Sequence, residues 1–391
     1  MTEQIVAVRG LAEPDLGYQQ CTRCVMDTLG LADGIRFDGD GVCNFCTAML
    51  AEKGAHLYGG KYSDDKLSEL VHELKTAGRG REYDCVIGIS GGVDSSYLCY
   101  RAKQLGLRVL AVHCDTGWNS ELAVINIERL ITTLEFEYQT YVVDWEEFRD
   151  LQLAFLRASI PNIEIPTDHA LMGALYRIAS QHGVKHILTG SNVQTEGIMP
   201  RAWIYNAHDL RHLKAIHRLF GTTPLKTFPQ LGYPREMFYR YVRGIQRRRP
   251  LHYMDYKKAE AMRVLEQALG WEYYGGKHYE SVFTRFFQAY ILPVKFGIDK
   301  RKAHLSTMIC SAQTTRDEAL EELALPLYTE EKLREDKQFV LKKFQLSEEE
   351  FEEIMRRPVR SSLDYPNNAR TLKLLYGAYN RVRRDFSRPS P

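Results

Sequence analysis

The chain has 391 residues, 44% of them hydrophobic, with 52 Lys and Arg against 50 Asp and Glu. At about 150 residues per domain this makes two to three domains with ample material for a core. The formal charge of +2 lacks the basic excess that phosphate-dominated nucleic-acid binding calls for. No apolar run reaches the roughly 18 residues of a membrane span. The N-terminus carries no signal-peptide pattern, so a cytoplasmic location is expected. Eight cysteines are too few for a disulfide scaffold.

Residues 1–60 form the first expected unit, a four-cysteine zinc-binding segment. Cys21-x2-Cys24 is followed after eighteen residues by Cys43-x2-Cys46. Two such knuckles bring four thiolates into a tetrahedron that suits Zn2+, with an iron–sulfur cluster as the alternative. Four protein ligands close the site, so its expected role is structural. Cys85 and Cys99 lie in apolar runs and read as core residues. Cys114 ends a strand pattern, and packing is favoured there too.

The second unit, residues 61–225, opens with a stretch, 61–82, that contains an amphipathic helix bearing Leu67, Leu70, Val71 and Leu74 and stopped by Gly78 and Gly80. Strand and helix then alternate. Strands are predicted at Cys85–Ser90, Val109–Asp115, Tyr138–Val143 and His186–Gly190. Helices are predicted at Ser95–Leu105, Glu121–Leu134 and around Asp168–His182. Short apolar strands alternating with helices predict an α/β fold, a parallel sheet with helices on both faces. Ligands of such sheets bind beyond the carboxyl ends of the strands.

The first strand runs into Ser90-Gly91-Gly92-Val93-Asp94-Ser95-Ser96. This is neither a Walker loop nor a dinucleotide fingerprint. Two glycines permit close backbone approach, and successive N–H groups at a helix start make an anion nest. Ser90, Ser95 and Ser96 add hydroxyl donors. Asp94 would repel bare phosphate, which fits a carboxylate holding phosphate-bound Mg2+. The loop resembles that of the PP-loop, or N-type, ATP pyrophosphatases, which split ATP to AMP and pyrophosphate while adenylating a carbonyl oxygen. Two later strand ends resemble that family's nucleotide-facing loops. In 113–117, Asp115 would accept from adenosine or cap the next helix. In 188–192, Gly190 would let the adenylate lie close, with Glu196 assisting the metal.

The third unit, 226–391, is aromatic and predominantly helical. Ser347 and Glu350 fit a capping box for a helix through Met355, and the basic tail from Asn380 reads as frayed. Residues 271–307 are dense in Lys277, His278, Arg285, Lys295, Lys300, Arg301, Lys302 and His304, interleaved with Glu280, Thr284, Gln288 and Asp299. Tyr274, Tyr279, Phe283, Phe286, Phe287 and Tyr290 stand between them. We read this stretch as a polar ligand site with aromatic walls, in which Lys300 and Arg301 neutralise departing pyrophosphate.

The paired CxxC, SGGVDSS, LTGSN, LKTFP at 225–229, GWEYYGGKHYES, TRFFQAY and KFGIDKRKAHLS together resemble the N-acetyl sugar amidotransferases of lipopolysaccharide and flagellar-glycan biosynthesis, from about Cys21 to about Met355. The resemblance implies conversion of the acetamido group of a nucleotide-activated sugar to acetamidino. ATP adenylates the amide oxygen, ammonia attacks the carbon and AMP departs. The expected catalytic groups are Asp94, Lys300, Arg301, Lys277 and His278. ATP would be held by Ser90, Gly91, Gly92, Asp94, Ser95, Ser96, Asp115 and Gly190, and the sugar by Glu280, Arg285, Gln288, Lys295 and His304.

The chain contains no recognisable glutaminase elbow. Ammonia is therefore expected from a separate glutaminase subunit, which the resemblance pairs with a cyclase-like subunit. Residues 235–258 carry eight Arg and Lys against Glu236 and Asp255, with an apolar helical stripe of Phe238, Tyr241, Val242 and Ile245. This patch suits a solvated face, a substrate diphosphate, a protein partner or an anionic membrane. It also motivates the rival reading, a tRNA-thiolating PP-loop enzyme, for which the scattered Cys85, Cys99 and Cys114 offer no CxxC.

Overall fold

The computed structural model describes residues 17–30, 34–55, 61–276 and 279–374, without the side chains of 52–55 and 61. Lys277, His278 and the tail from Asn380 lie outside the described residues. The centre is a five-stranded sheet of β1 (Cys85–Ile89), β2 (Val109–Asp115), β3 (Glu137–Val142), β4 (His186–Leu188) and β5 (Gln246–Arg248). The order is β3-β2-β1-β4-β5, with every pairing parallel.

The two central strands are apolar on both faces, as a parallel sheet covered on two sides requires. Cys85, Ile87, Ile89, Val109 and Ala111 pack with the helices Lys61–Ala77, Val93–Gln104 and Glu121–Leu134. Val86, Leu110 and Val112 pack with Leu175, Ile178 and Ala179 of the helix Ile165–Gln181. Gly88 is needed for that second contact, because a Cβ there would stand 3.0 Å from a Leu175 methyl. The four predicted strands and three predicted helices are present within a few residues of their expected bounds. The helix Trp145–Arg157, started by the Asp144 carboxylate accepting from the Glu147 N–H at 3.0 Å, was not foreseen.

Two expectations about the second half change. The basic segment is not one helix. It is the short helix Tyr233–Met237, a π-helical turn Phe238–Val242, and then β5. Gly244, at φ +70°, breaks the helical path. Ile245 is buried, while Phe238, Tyr241 and Val242 face outward. Second, Phe283, Phe286 and Phe287 do not wall a ligand site. They are buried core residues beside Trp118, Phe344 and Phe351. The expected capping box is present: Ser347 N–H donates to Glu350 and Glu350 N–H to Ser347 Oγ, at 2.8 and 3.2 Å.

The N-terminal cysteines share one apolar core with the C-terminal helices. Val25 N–H donates to Ser306 Oγ, Lys302 pairs with Asp27, and Arg316 donates to the carbonyls of Cys21 and Cys24. The cysteine segment thus sits on the helix Lys300–Cys310.

Candidate functional site

The phosphate loop lies at the carboxyl end of β1, and its geometry follows from its glycines. Gly91 adopts φ +79°, and a Cβ on it would meet the Ala123 carbonyl oxygen at 2.7 Å. Ser95 Oγ donates to the Gly92 carbonyl at 3.2 Å, and Gly92 N–H donates to Ser90 Oγ at 3.3 Å. The helix Val93–Gln104 starts here without a side-chain cap from its own N-cap residue Gly92. Ser96 Oγ is fully buried with no partner among the described residues. An anion at this helix start would meet backbone amides that now use the side-chain oxygens of Ser90 and Tyr274.

Two neighbouring loops close around it. A Cβ on Gly190 would stand 2.8 Å from the carbonyl carbon of Asp94 and 2.9 Å from Ser95 N, so the β4 loop rests on the backbone of the phosphate loop. At the end of β2, Asp115 accepts from Gly117 N–H at 2.8 Å and from Asn119 Nδ2 at 3.3 Å. Asp115 therefore shapes its own loop, and the cap of the next helix is Ser120, which accepts from Ala123 N–H. His113 donates from Nδ1 to the Ile89 carbonyl at 3.0 Å, so its Nε2 accepts from Asn119 at 2.8 Å. This ties the second loop to the exit of β1.

The segment 256–280 lies directly on the phosphate loop. Trp271 Nε1 donates to the Gly91 carbonyl at 3.0 Å, Tyr274 accepts from Val93 N–H at 3.2 Å, and Ser90 Oγ donates to Glu280 at 3.3 Å. The Tyr256 hydroxyl donates to Asp94. Burial pushes the Tyr256 and Tyr274 phenols well above their ordinary range, with Asp94 and Glu280 respectively adding to the effect. Both stay neutral and serve as hydrogen-bonding groups. Two carboxylates, Asp94 and Glu280, thus adjoin a nest built for an anion. That pairing suits a cation–phosphate complex better than bare phosphate. Tyr256 and Trp271 were not foreseen as site residues, and in sequence they are two aromatics among 43 Phe, Trp and Tyr.

Of the expected sugar-binding and pyrophosphate-binding groups, Glu280 is brought onto the loop. His304 Nδ1 faces the Thr195 carbonyl at 3.4 Å, behind the β4 loop. Lys300 lies over the Phe287 ring, 5.9 Å from its centroid. Arg301 is bound by Asp299 at 2.8 Å and donates to the carbonyls of Glu322, Leu323 and Leu325. Arg285 forms a two-pronged pair with buried Asp336, at 2.6 and 2.9 Å. Lys295 donates to the carbonyls of Ile354, Met355 and Arg357 at 2.7–3.0 Å, ending the helix Glu348–Arg356. Burial lowers its pKa to about 8. Gln288 is half-buried on a π-helical turn. These arrangements fix the C-terminal helices to one another.

Cys21, Cys24, Cys43 and Cys46 are fully buried, and their sulfurs lie within 4.8 Å of one another. Cys21–Cys46 and Cys24–Cys43 are 4.0 and 3.7 Å apart. A tetrahedral site with metal–sulfur bonds of about 2.3 Å needs sulfur separations of about 3.8 Å, so the cluster fits a four-thiolate metal. N–H groups of Cys24, Met26 and Cys43 point at the sulfurs at 3.2–3.4 Å, the orienting contacts such ligands use. Cys310 stands 3.6 Å from Cys46, outside the four-sulfur group.

Residues 280–381 match the family model described as LPS biosynthesis protein WbpG-like, C-terminal domain. Solved structures similar to the chain include NMN synthetase from Francisella tularensis, at 16% identity and TM-score 0.29, covering 53% of this chain and 93% of that one. A predicted subunit of tRNA methyltransferase from Methanocaldococcus jannaschii has 16% identity and TM-score 0.28, covering 46% and 72%. NAD+ synthetase from Burkholderia pseudomallei has 19% identity and TM-score 0.29, covering 59% and 94%. Comparison with curated proteins returns no match. The chain thus joins a parallel sheet carrying the SGGVDSS loop to a C-terminal stretch that matches the WbpG-like model.

Proposed function

We propose that this chain is an ATP-dependent amidotransferase that converts the acetamido group of a nucleotide-activated sugar to an acetamidino group. The observation that carries the reading is the seating of residues 256–280 on the SGGVDSS loop, through Tyr256–Asp94, Trp271–Gly91, Tyr274–Val93 and Glu280–Ser90. Glu280 opens the WbpG-like stretch, so that domain begins at the edge of the phosphate nest. A donor substrate held there would present its amide to the α-phosphate of ATP.

The chemistry follows from the poor electrophilicity of an amide. The amide oxygen attacks the α-phosphorus, pyrophosphate leaves, and an O-adenylyl imidate forms. Ammonia then adds to the imidate carbon, and AMP departs with the former amide oxygen. The Ser90, Ser95 and Ser96 hydroxyls would orient the phosphates, with the Gly92 and Val93 amides exchanging Ser90 Oγ and Tyr274 for phosphate oxygens. Asp94 and Glu280 would hold Mg2+, which when bound offsets charge on the transferred and leaving phosphates. Gly190 leaves room for the adenylate against the Asp94 backbone. Zn2+ at the four cysteines would be structural, bracing the helix Lys300–Cys310. Ammonia would come from a separate glutaminase subunit with a cyclase-like companion.

The tRNA-thiolation reading requires a reactive thiol beside the loop. Burial pushes the Cys114 thiol up to about 12, and Cys85 and Cys99 are buried and raised as well. Such thiols are poor nucleophiles, which favours amidation. The test is to incubate the protein with ATP, Mg2+, an ammonium salt and candidate acetamido nucleotide-sugars. The expected result is AMP together with a product lighter by the difference between O and NH. AMP release stimulated by tRNA, with no sugar changed in mass, would overturn the proposal.

A further inference from the structure

The turn that precedes β5 presents Met237, Phe238, Tyr241 and Val242 to solvent, at 39, 44, 74 and 70% exposure. They share one side because Phe238–Val242 is π-helical, closed by Arg243 N–H on the Phe238 carbonyl at 3.0 Å. Arg235, Arg240, Arg243 and Arg247 surround them, and no ion pair joins these four to an acid among the described residues. The Arg240 guanidinium lies over the Tyr241 ring and that of Arg243 over Phe238, each 5.8 Å from the centroid. Glu236, the acid of this turn, is buried and held by His208 at 3.0 Å.

The patch is at the wrong end of the sheet for the nucleotide site. Gln246 pairs with His186 where β4 begins, and Lys185 Nζ donates to the Arg243 carbonyl at 2.5 Å. The turn therefore sits at the amino ends of the parallel strands, whereas the phosphate loop leaves the carboxyl end of β1. A substrate diphosphate at the loop is out of its reach. What remains is a ligand that accepts apolar side chains and neutralises arginines at the same depth. That is the chemistry of a bilayer surface rich in anionic headgroups. No described helix is long and apolar enough to cross a membrane, so the contact would be peripheral.

We propose that the turn Arg235–Val242, with Arg243 and Arg247, docks the protein on anionic lipid surfaces, with Phe238, Tyr241 and Val242 entering the headgroup layer. The proposal does not depend on the amidotransferase reading. Each basic residue near such a surface is worth roughly fivefold in partitioning, so four give reversible, salt-sensitive binding.

The test is co-flotation of the intact protein with phosphatidylglycerol vesicles and, in parallel, with phosphatidylcholine vesicles. Binding to phosphatidylglycerol is expected, with little to phosphatidylcholine and loss at high salt. Arg240→Glu with Arg243→Glu should lower partitioning more than about twentyfold, and Tyr241→Ser with Val242→Ser should lower it several-fold, with unchanged thermal unfolding. In a Phe238→Trp variant, tryptophan emission should shift to the blue on adding phosphatidylglycerol vesicles, beyond any shift of the unsubstituted protein, whose Trp118, Trp203 and Trp271 are buried and whose Trp145 is half-buried. Absence of vesicle binding, equal binding to phosphatidylcholine, or binding that survives both double substitutions would overturn the proposal. So would a patch that binds acidic protein and no lipid.

Discussion

Gly190 and Asp94 are in backbone contact: a methyl group on Gly190 would come 2.8 Å from the Asp94 carbonyl carbon. Backbone cannot swing aside as a flexible side chain can. Gly190→Ala should therefore cost about 1–3 kcal/mol in denaturant unfolding and abolish ATP binding in calorimetry. Gly39→Ala, at a position with nothing within 4 Å, is the control and should change neither. Normal ATP affinity in Gly190→Ala would refute the close approach of the two loops.

Asp94 tests whether the nest works with a cation. Its carboxylate accepts from Tyr256 on one side and adjoins the phosphate nest on the other. Asp94→Ala should reduce AMP release by about 100-fold or more with thermal unfolding little changed. Tyr256→Phe removes the orienting donor and leaves the charge. Its loss should be only about 1 kcal/mol, less than tenfold in rate. Equal losses in the two variants would mean that Asp94 serves the fold and not the phosphates.

The four-cysteine cluster should hold one metal ion per chain, measurable by elemental analysis of purified protein. Cys21→Ser should lower that stoichiometry. It should also loosen the C-terminal helices, because Arg316 donates to the Cys21 and Cys24 carbonyls and Lys302 pairs with Asp27. Hydrogen exchange in the helix Lys300–Cys310 is the readout. Unchanged protection in a metal-depleted protein would remove the bracing role.

Acid stability should depend on two buried histidines. His212 is surrounded by the rings of Phe155, Tyr205 and Tyr365, and neither ring nitrogen has a partner among the described residues. Burial lowers the pKa of His212 and of His169 to about 4 each. Below the ordinary value of about 6.5 the unfolded chain takes up protons that the folded chain refuses. Stability should fall as pH drops from about 6.5 to 4, by up to about 3 kcal/mol per histidine. Urea melts across that range measure it. His212→Phe should remove part of the slope, whereas His169 must be kept, since its Nε2 accepts from Leu231 N–H at 2.8 Å. An identical slope in His212→Phe would contradict this account.

The sheet, the phosphate loop and the cysteine cluster were legible because each rests on local pattern. Apolar strands, a glycine pair before a helix and two CxxC knuckles need no tertiary information. β5 was not legible: Gln246-Arg247-Arg248 has no hydrophobic pattern, and the strand exists because Ile245 is buried and Arg248 pairs with Glu73. The partners of the basic stretch 285–301 were not legible for a related reason. Charges at Arg285, Lys295 and Arg301 look ligand-binding in sequence, but their partners Asp336, the carbonyls of 354–357, and Asp299 with the carbonyls of 322–325 are mostly set by the fold. Residue type announced the need for an anion or carbonyl without telling which one.

Lys343 was invisible for the same reason, and it ties the WbpG-like stretch to the loop that follows β2. Its ammonium lies 4.2 Å from the Trp145 ring centroid, 4.8 Å from Trp118 and 5.6 Å from Phe339. It donates to the Gly117 carbonyl, in the loop that Asp115 and Asn119 shape. Gly117 is itself constrained: it adopts φ +79°, and a Cβ there would meet Trp145 at 2.9 Å. Burial lowers the Lys343 pKa, with Asp115 opposing, yet the aromatic faces and the carbonyl both favour the cation. Lys343→Met keeps the packing of the stem and removes the charge and the donor. If the loop positions adenosine, KM for ATP should rise several-fold while kcat stays near its starting value, and Lys343→Arg should restore part of the loss. A fall in kcat with KM unchanged, or no change in either, would show that the second loop does not depend on this lysine.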